Sequence, residues 1–305
     1  MAARPLVSII LPVYNGEATL GATLDSLLAQ TFTDYELVVG IDGTTDGSQA
    51  IVEGYDDPRI RLIVHPENLG LAENVNALLA ALHPESLYVA MAEQDDVYVP
   101  ERLALQVAVM EAEPEVGLVS GIAAFKSQGG SVLFPGILVK GEVFPQGEAL
   151  FQYLYEHQLK VVNTCMLLRR SVHEGYGLRF KATYGNFNVD WNYVLRFSLV
   201  SKVYGIPKVL VTMDRGLTND SVTRDKASQH EASRQLLKDF RAEFPELVSA
   251  GLYRKALKQH RKIELGHHSR GSIIVRGLYY SLRYMDMYFL RYLFKRVRYF
   301  LSYNE

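Results

Sequence analysis

The four residues Glu93-Gln94-Asp95-Asp96 carry three carboxylates. Neighbouring carboxylates repel one another and stay ionised most easily when a cation sits between or beside them. They follow the apolar run Ser86–Met91, the pattern of a buried strand that delivers charge to the rim of a sheet. A second junction of this kind lies upstream, where Tyr35–Ile41 runs into Asp42-Gly43-Thr44-Thr45-Asp46-Gly47-Ser48. Open α/β sheets bind nucleotides where strand ends converge at a crevice. The two junctions together therefore point to a nucleotide-and-cation site. The plainer alternatives are a solvated strand end for Asp95 and Asp96 and a turn aspartate for Asp42. Asp46 is the better candidate to cap the helix that follows.

The elements that must position these groups alternate in type. Leu6–Leu11 is a continuous apolar run, as expected of a strand buried on both faces, and Ala18–Leu28 places Leu20, Leu24, Leu27 and Leu28 at helical spacing. Tyr35–Ile41, Arg61–His65, Ser86–Ala92 and Val116–Phe125 read as strands. Asp46–Tyr55, Leu71–Leu82 and Glu101–Glu113 read as helices, the last with Pro100 in its first turn. This alternation predicts right-handed crossovers and a mostly parallel sheet flanked by helices. Beyond residue 126 glycines and prolines loosen the pattern. Val161–Leu168 and Lys208–Thr212 read as strands and Trp191–Ser198 as a helix, which predicts antiparallel elements on the same sheet. From Lys226 onward the sequence reads as helix.

Composition narrows the classes. A chain of 305 residues with 48% hydrophobic and 22% charged residues is ordinary for a globular protein, and a net charge of −2 gives no global attraction to nucleic acid. The single cysteine, Cys165, excludes an internal disulfide, fits a reducing compartment and reads as a small core residue. Leu6–Leu11 is too short for a secretory signal and ends in Pro12, and no stretch reaches the roughly 18 apolar residues of a membrane span. The expectation is a protein kept in the cytoplasm, at the inner face of the membrane if its tail binds there. The first turn, Pro12–Glu17, holds one glycine, not the Gly-x-Gly-x-x-Gly of dinucleotide-binding folds, which argues against an NAD enzyme or a P-loop protein.

At this point the segments resemble a known family. Val7–Asn15 followed by Ser26–Thr31 looks like the opening of the family-2 glycosyltransferases. Asp42–Ser48 resembles that family's second motif, Asn68-Leu69-Gly70-Leu71 with Asn76 its third, and Glu93–Asp96 with Pro100 and Leu103 its fourth. Order and spacing agree over residues 6–105, with fainter similarity to about residue 223. The resemblance implies a GT-A, Rossmann-like α/β fold over residues 1–225, with a nucleotide-binding half at 6–125, an acceptor half at 126–225 and a helical extension at 226–305. It implies a metal-dependent, inverting transfer from a nucleotide-sugar, UDP-linked by preference, to a hydroxyl of a surface glycan or lipid-linked saccharide. By position, Pro12, Tyr14 and Asp42 should flank and hydrogen-bond the base; a carboxylate at 42 can accept from the N–H of uracil N3. Asp95 and Asp96 should hold Mg²⁺ or Mn²⁺, with Asp95 and Glu93 reaching the ribose; Glu93 stands where the family usually has Asp. Asp190 falls on the general base, with Val189 replacing the usual Glu, and its plainer reading is a helix-start aspartate. Trp191 is a candidate for stacking on the acceptor sugar and Arg215 for facing a phosphate. Asn68, Gly70 and Asn76 read equally well as turn and packing residues.

Two features stand apart from these motifs. His267-His268 reads as a solvated pair, because side chains at adjacent helix positions diverge. In the tail, Arg276, Arg283, Arg291, Lys295 and Arg298 fall on one third of a helix whose remainder is rich in Tyr, Leu and Phe. Such a helix either lies in the interface of an anionic membrane or packs on the domain or a second subunit. Two other functions remain open to the sequence. One is a catalytically silent glycan- or membrane-binding protein on the same scaffold. The other is a sugar nucleotidyltransferase, disfavoured because Pro12–Glu17 lacks a Gly-rich, basic triphosphate loop.

Overall fold

A computed structural model describes residues 5–127, 130–214, 225–268 and 270–302. Its contacts divide the chain into two compact units, one of residues 1–154 and 159–222, the other of residues 155–158 and 223–305.

The first unit is built on one sheet. β1 (Val7–Val13) lies between β2 (Tyr35–Asp42) and β4 (Tyr88–Met91), with β3 (Ile60–His65) outside β2, all parallel. β1 is hydrogen-bonded on both sides, so Val7, Ile9, Leu11 and Val13 on one face and Ile10 on the other are all buried. The crossovers are α1 (Leu20–Leu28), α2 (Ser48–Glu53) and α3 (Leu71–Ala80). Leu20, Leu24 and Leu27 recur at helical spacing and join the odd-numbered β1 residues in one core. α3 packs on β2 at a glycine: a Cβ at Gly40 would stand 2.5 Å from Asn74 Oδ1 and 2.7 Å from Leu78 Cδ2.

The sheet continues through shorter and antiparallel members. β5 (Asp96–Tyr98) is followed by α4 (Arg102–Ala112), β6 (Val116–Ser127) and β7 (Gly130–Phe134). α5 (Gly136–Val139) and α6 (Gly147–His157) lead to β8 (Leu167–Arg169), α7 (Arg170–Gly175), β9 (Thr183–Asn186), α8 (Val189–Phe197) and β10 (Lys202–Asp214). Among the described residues nine strands share the sheet in the order β3-β2-β1-β4-β8-β6-β10-β5, with β7 on β6. β8 runs antiparallel to both β4 and β6, as expected of the second half. The run Val161–Leu168 is not one strand: Asn163–Cys165 forms a 3-10 turn, and only Leu167–Arg169 pairs.

The second unit is helical: α9 (Lys226–Glu243), α10 (Ala250–Leu265), α11 (Arg270–Tyr284) and α12 (Met287–Ser302). Asp225 and Ser249 cap α9 and α10 through Ser228 N–H at 3.0 Å and Leu252 N–H at 3.1 Å. The tail is two helices rather than the single one its cationic stripe implied. Met285 turns left-handed (φ 49°), and Asp286 accepts the Tyr288 N–H at 2.9 Å to start α12. Arg276 and Arg283 therefore belong to one helix and Arg291 and Lys295 to the next. The side chain of Arg298 lies outside the described residues. No helix among the described residues is long and apolar enough to cross a membrane.

Candidate active site

Because β1, β2 and β4 are parallel neighbours, their C-terminal ends reach one edge of the sheet and release Tyr14, Gly43 and Ala92 there. The first and fourth motifs are clasped by an amide. The Tyr14 N–H donates to Gln94 Oε1 at 2.8 Å, and Gln94 Nε2 donates to the Tyr14 carbonyl at 2.9 Å. Gly16 leaves the room this needs, since a Cβ there would lie 2.8 Å from the Gln94 amide. The Tyr14 side chain is 48% exposed, while Pro12 is half-buried inside β1.

The second motif is wired to the first and third. Asn15 adopts φ 49°, a conformation Asn tolerates, and its Oδ1 accepts the Thr45 N–H at 2.9 Å. Asp46 accepts from Ser48 N–H at 3.0 Å at the start of α2 and from Glu17 N–H at 2.9 Å. Partial burial pushes the Asp46 carboxyl up, but bonds from Ser48, Thr44 and these backbone groups outweigh it and hold the acid well below the usual range. Asp42 is buried. Its Oδ1 accepts Leu69 N–H at 2.7 Å and its Oδ2 accepts Gly70 N–H at 3.0 Å, so the carboxylate fastens the third motif to the end of β2. It does not cap α2. Gly43 makes the turn possible: φ is +61°, and a Cβ would stand 2.5 Å from the Asn68 backbone nitrogen.

The fourth motif gathers the carboxylates. One oxygen from each of Glu93, Asp95 and Asp96 lies within 4.8 Å of the others. Asp96 opens β5, where antiparallel pairing with Met213 of β10 fixes it, and the residue is 1% exposed. Its Oδ2 is buried without a hydrogen-bond partner. Burial, then the charges of Glu93 and Asp95, push the Asp96 carboxyl up to about 8, against a Thr164 hydrogen bond and the Arg102 guanidinium. An orphaned buried oxygen between two further carboxylates is a hard-oxygen donor set, and it fits a divalent cation.

Three of the supports for this trio were not singled out from the sequence. Asn163 Nδ2 donates to Glu93 Oε1 at 2.7 Å, and the Thr164 hydroxyl meets both Asp96 and the Tyr98 hydroxyl, so the 3-10 turn hidden in an apolar run is what steadies the acids. Arg102 is fully buried; its Nη2 donates to the Met91 carbonyl at 2.7 Å and its guanidinium lies 4.5 Å from the Tyr98 ring centroid. A basic residue in the helix after the acidic motif was the available signal.

Asp190 opens α8 half-buried, its Oδ1 2.8 Å from the Trp191 N–H. Burial raises its carboxyl above the ordinary range, opposed by the N–H groups of Trp191 and Asp190. The third motif braces the approach to this helix. Asn76 bonds the Phe180 backbone at 2.9 and 3.2 Å, and Phe180 stacks on Tyr193 of α8 with centroids 4.0 Å apart. Asn76 thus acts in packing. Trp191 is a correction: it is 3% exposed and its indole donates to the Leu154 carbonyl at 3.1 Å, so it anchors α8 in the core and offers no face to a sugar. Arg215 lies outside the described residues. Cys165 is buried, and burial pushes its thiol up to about 11, as for an inert core residue.

The profile of the family described as Glycosyl transferase family 2 matches residues 8–177. Over 191 residues the chain is 32% identical to EpsE of Bacillus subtilis (strain 168), a protein with a glycosyltransferase name; the match covers 59% of this chain and 68% of EpsE. Over 105 residues it is 33% identical to the Escherichia coli UDP-Glc:alpha-D-GlcNAc-diphosphoundecaprenol beta-1,3-glucosyltransferase WfgD, covering 34% of this chain and 41% of WfgD. Among solved structures, S. aureus TarS 1-349 in complex with UDP superposes with a TM-score of 0.58 at 18% identity, over 96% of this chain and 91% of that one. The mannosyltransferase PcManGT from Pyrobaculum calidifontis, in complex with GDP-Man and Mn²⁺, gives 0.58 at 17% identity, over 96% and 84%. The curled, mostly parallel sheet with its flanking helices is the GT-A fold of these neighbours. With a matching profile over more than half its length and the acidic trio at the strand ends, the chain belongs to glycosyl transferase family 2.

Proposed function

We propose that this chain catalyses a cation-dependent, inverting transfer of a sugar from a nucleoside diphosphate, preferentially UDP, to a hydroxyl of a saccharide on a surface glycan or a lipid carrier. The buried, unpartnered Asp96 oxygen among Glu93 and Asp95 carries the reading. Glu93, Asp95 and Asp96 would hold the ion, which when bound neutralises charge on the departing diphosphate. PcManGT was solved in complex with GDP-Man and Mn²⁺, and TarS in complex with UDP and with UDP-GlcNAc. The WfgD name describes a lipid-diphosphate saccharide acceptor.

In this reading the exposed Tyr14 ring flanks the base beside Pro12, with Asp42 holding the loop below it. Asp190 takes the proton of the acceptor hydroxyl as that oxygen bonds to the anomeric carbon, and the electron pair of the sugar–phosphate bond leaves with the diphosphate. The raised carboxyl of Asp190 is the direction a general base needs, since a stronger base accepts that proton more readily. Calorimetry with UDP, with and without Mn²⁺, followed by donor hydrolysis, tests the proposal. The expected result is UDP binding that needs the cation, with slow release of free sugar. Cation-independent binding overturns the metal assignment, and cation-dependent binding without hydrolysis or transfer points to the silent scaffold.

A further inference from the structure

The helical unit carries a surface that the transfer reaction does not use. α11 packs on α12 through Gly277, where a Cβ would stand 2.7 Å from Leu293, and it buries Ile273 and Tyr280. Ile274, Val275, Leu278, Tyr279 and Leu282 point the other way. At 100° per residue they fill an arc of about 140°. Their exposures run from 44% to 77%, and Met285 just beyond is 88% exposed. Isolated exposed apolar residues are ordinary, but a contiguous face of this kind marks an interaction site.

Charge identifies what the face meets. Seven Arg and Lys residues against one Asp lie between positions 270 and 302, in a chain whose net charge is −2. The one acid, Asp286, is bonded by Lys258 at 2.7 Å. Arg276 and Arg283 border the arc on the same helix and are exposed. Beside it opens a pocket of ≈ 890 Å³ that Arg276 and Tyr279 share with Lys226, Arg234, Arg261 and His230. Glu231 and Glu264, which also line the pocket, answer Arg234, and Glu264 bonds Arg261, whereas Arg276 donates to the Ser272 hydroxyl at 3.0 Å with no acid paired to it among the described residues. His230, 5% exposed, lines this pocket with a buried Nδ1 that has no partner. A two-fold pairing of the chain through the arc would set Arg276 and Arg283 of one copy against those of the other, with no acid but the bonded Asp286 among residues 270–302 to offset them.

We propose that the helical unit docks on an anionic lipid bilayer, the α11 arc entering the interface and the adjoining cationic pocket receiving a lipid phosphate. Aromatic and aliphatic side chains bury in the headgroup boundary while flanking arginines hold the negative surface.

Sedimentation of the full chain with phosphatidylcholine vesicles, alone or with about 30% phosphatidylglycerol, tests this. The expected result is binding to the anionic vesicles only, weakened by high salt. Leu278→Ser with Leu282→Ser should lower affinity by roughly a hundredfold. Arg276→Gln with Arg283→Gln should lower it by roughly thirtyfold. Both pairs should keep the wild-type circular dichroism. Absence of vesicle binding, equal binding to phosphatidylcholine, or indifference to both pairs overturns the proposal. So does a dimer that the leucine pair disperses in place of vesicle binding. The assay uses neither donor nor acceptor, so its failure leaves the transfer reading standing.

Discussion

The two units gather charge in opposite ways. In the sheet unit three carboxylates crowd together, and the group most deeply enclosed, Asp96, keeps an oxygen without a partner. In the helical unit the enclosed acid, Glu264, is paired with Arg234 and Arg261, and burial, which would raise its carboxyl, is outweighed so that it sits below the usual range. A satisfied acid stabilises the protein that contains it; an unsatisfied one is a standing cost that a ligand relieves. On the proposed reading, the contrast separates a site built for a ligand from a cluster built for folding.

Asp190→Asn should break the sheet unit's chemistry most. Turnover should fall by roughly 10²–10⁴-fold with UDP affinity unchanged, read from transfer assays and calorimetry on one preparation. A normal rate would remove Asp190 from the reaction. Asp96→Asn should abolish cation-dependent UDP binding while raising stability in the cation-free protein. The pH dependence gives the sign. With its carboxyl up at about 8 in the folded state and 3.8 otherwise, Asp96 keeps a proton that the unfolded chain has lost. Cation-free stability should therefore fall as pH climbs from about 5 to 8. Melting temperatures should show that slope in wild type and lose it in Asp96→Asn; equal slopes would contradict the geometry.

Glu264→Gln tests the other side of the contrast. Leaving Arg261 without its acid, and Arg234 with Glu231 alone, should cost about 1–3 kcal/mol in urea unfolding, less than a fully buried pair because both arginines reach solvent. UDP affinity should not change. Arg179→Ala should do least. Its 3.0 Å pair with Glu73 is more than half exposed on both sides, so the loss should stay below about 1 kcal/mol.

Much of the sheet unit was legible because its signals are periodic. The apolar runs at Leu6–Leu11 and Tyr35–Ile41 and the leucines at 20, 24 and 27 match β1, β2 and α1 within a few residues. The acidic motif was legible as chemistry, and its three carboxylates do meet. What escaped has physical causes. β5 has three residues, too few for alternation to show, yet it fixes Asp96. The turn at Asn163–Cys165 sits in a run of strand-forming residues, and only tertiary bonding to Glu93 and Asp96 singles it out. Trp191 has the side chain of a sugar platform, but the sequence did not say which face of α8 is inward. His267 is exposed as expected, though its Nδ1 lies 2.9 Å from His230 Nε2, a contact between α9 and the turn after α10 that local spacing does not encode. The break at Met285 rests on one left-handed residue without glycine, so no turn signal announced it.

Under the proposed metal assignment, Arg102 has a consequence for ion selectivity. Its guanidinium contributes a positive charge that acts on Asp96. Once a bound cation displaces the Asp96 proton, three ionised acids set against that guanidinium leave two elementary charges to be cancelled. One doubly charged ion completes that balance, whereas potassium or sodium leaves half of it unmet. Abundant monovalent salt is thereby a poor competitor for the position, before ionic radius enters.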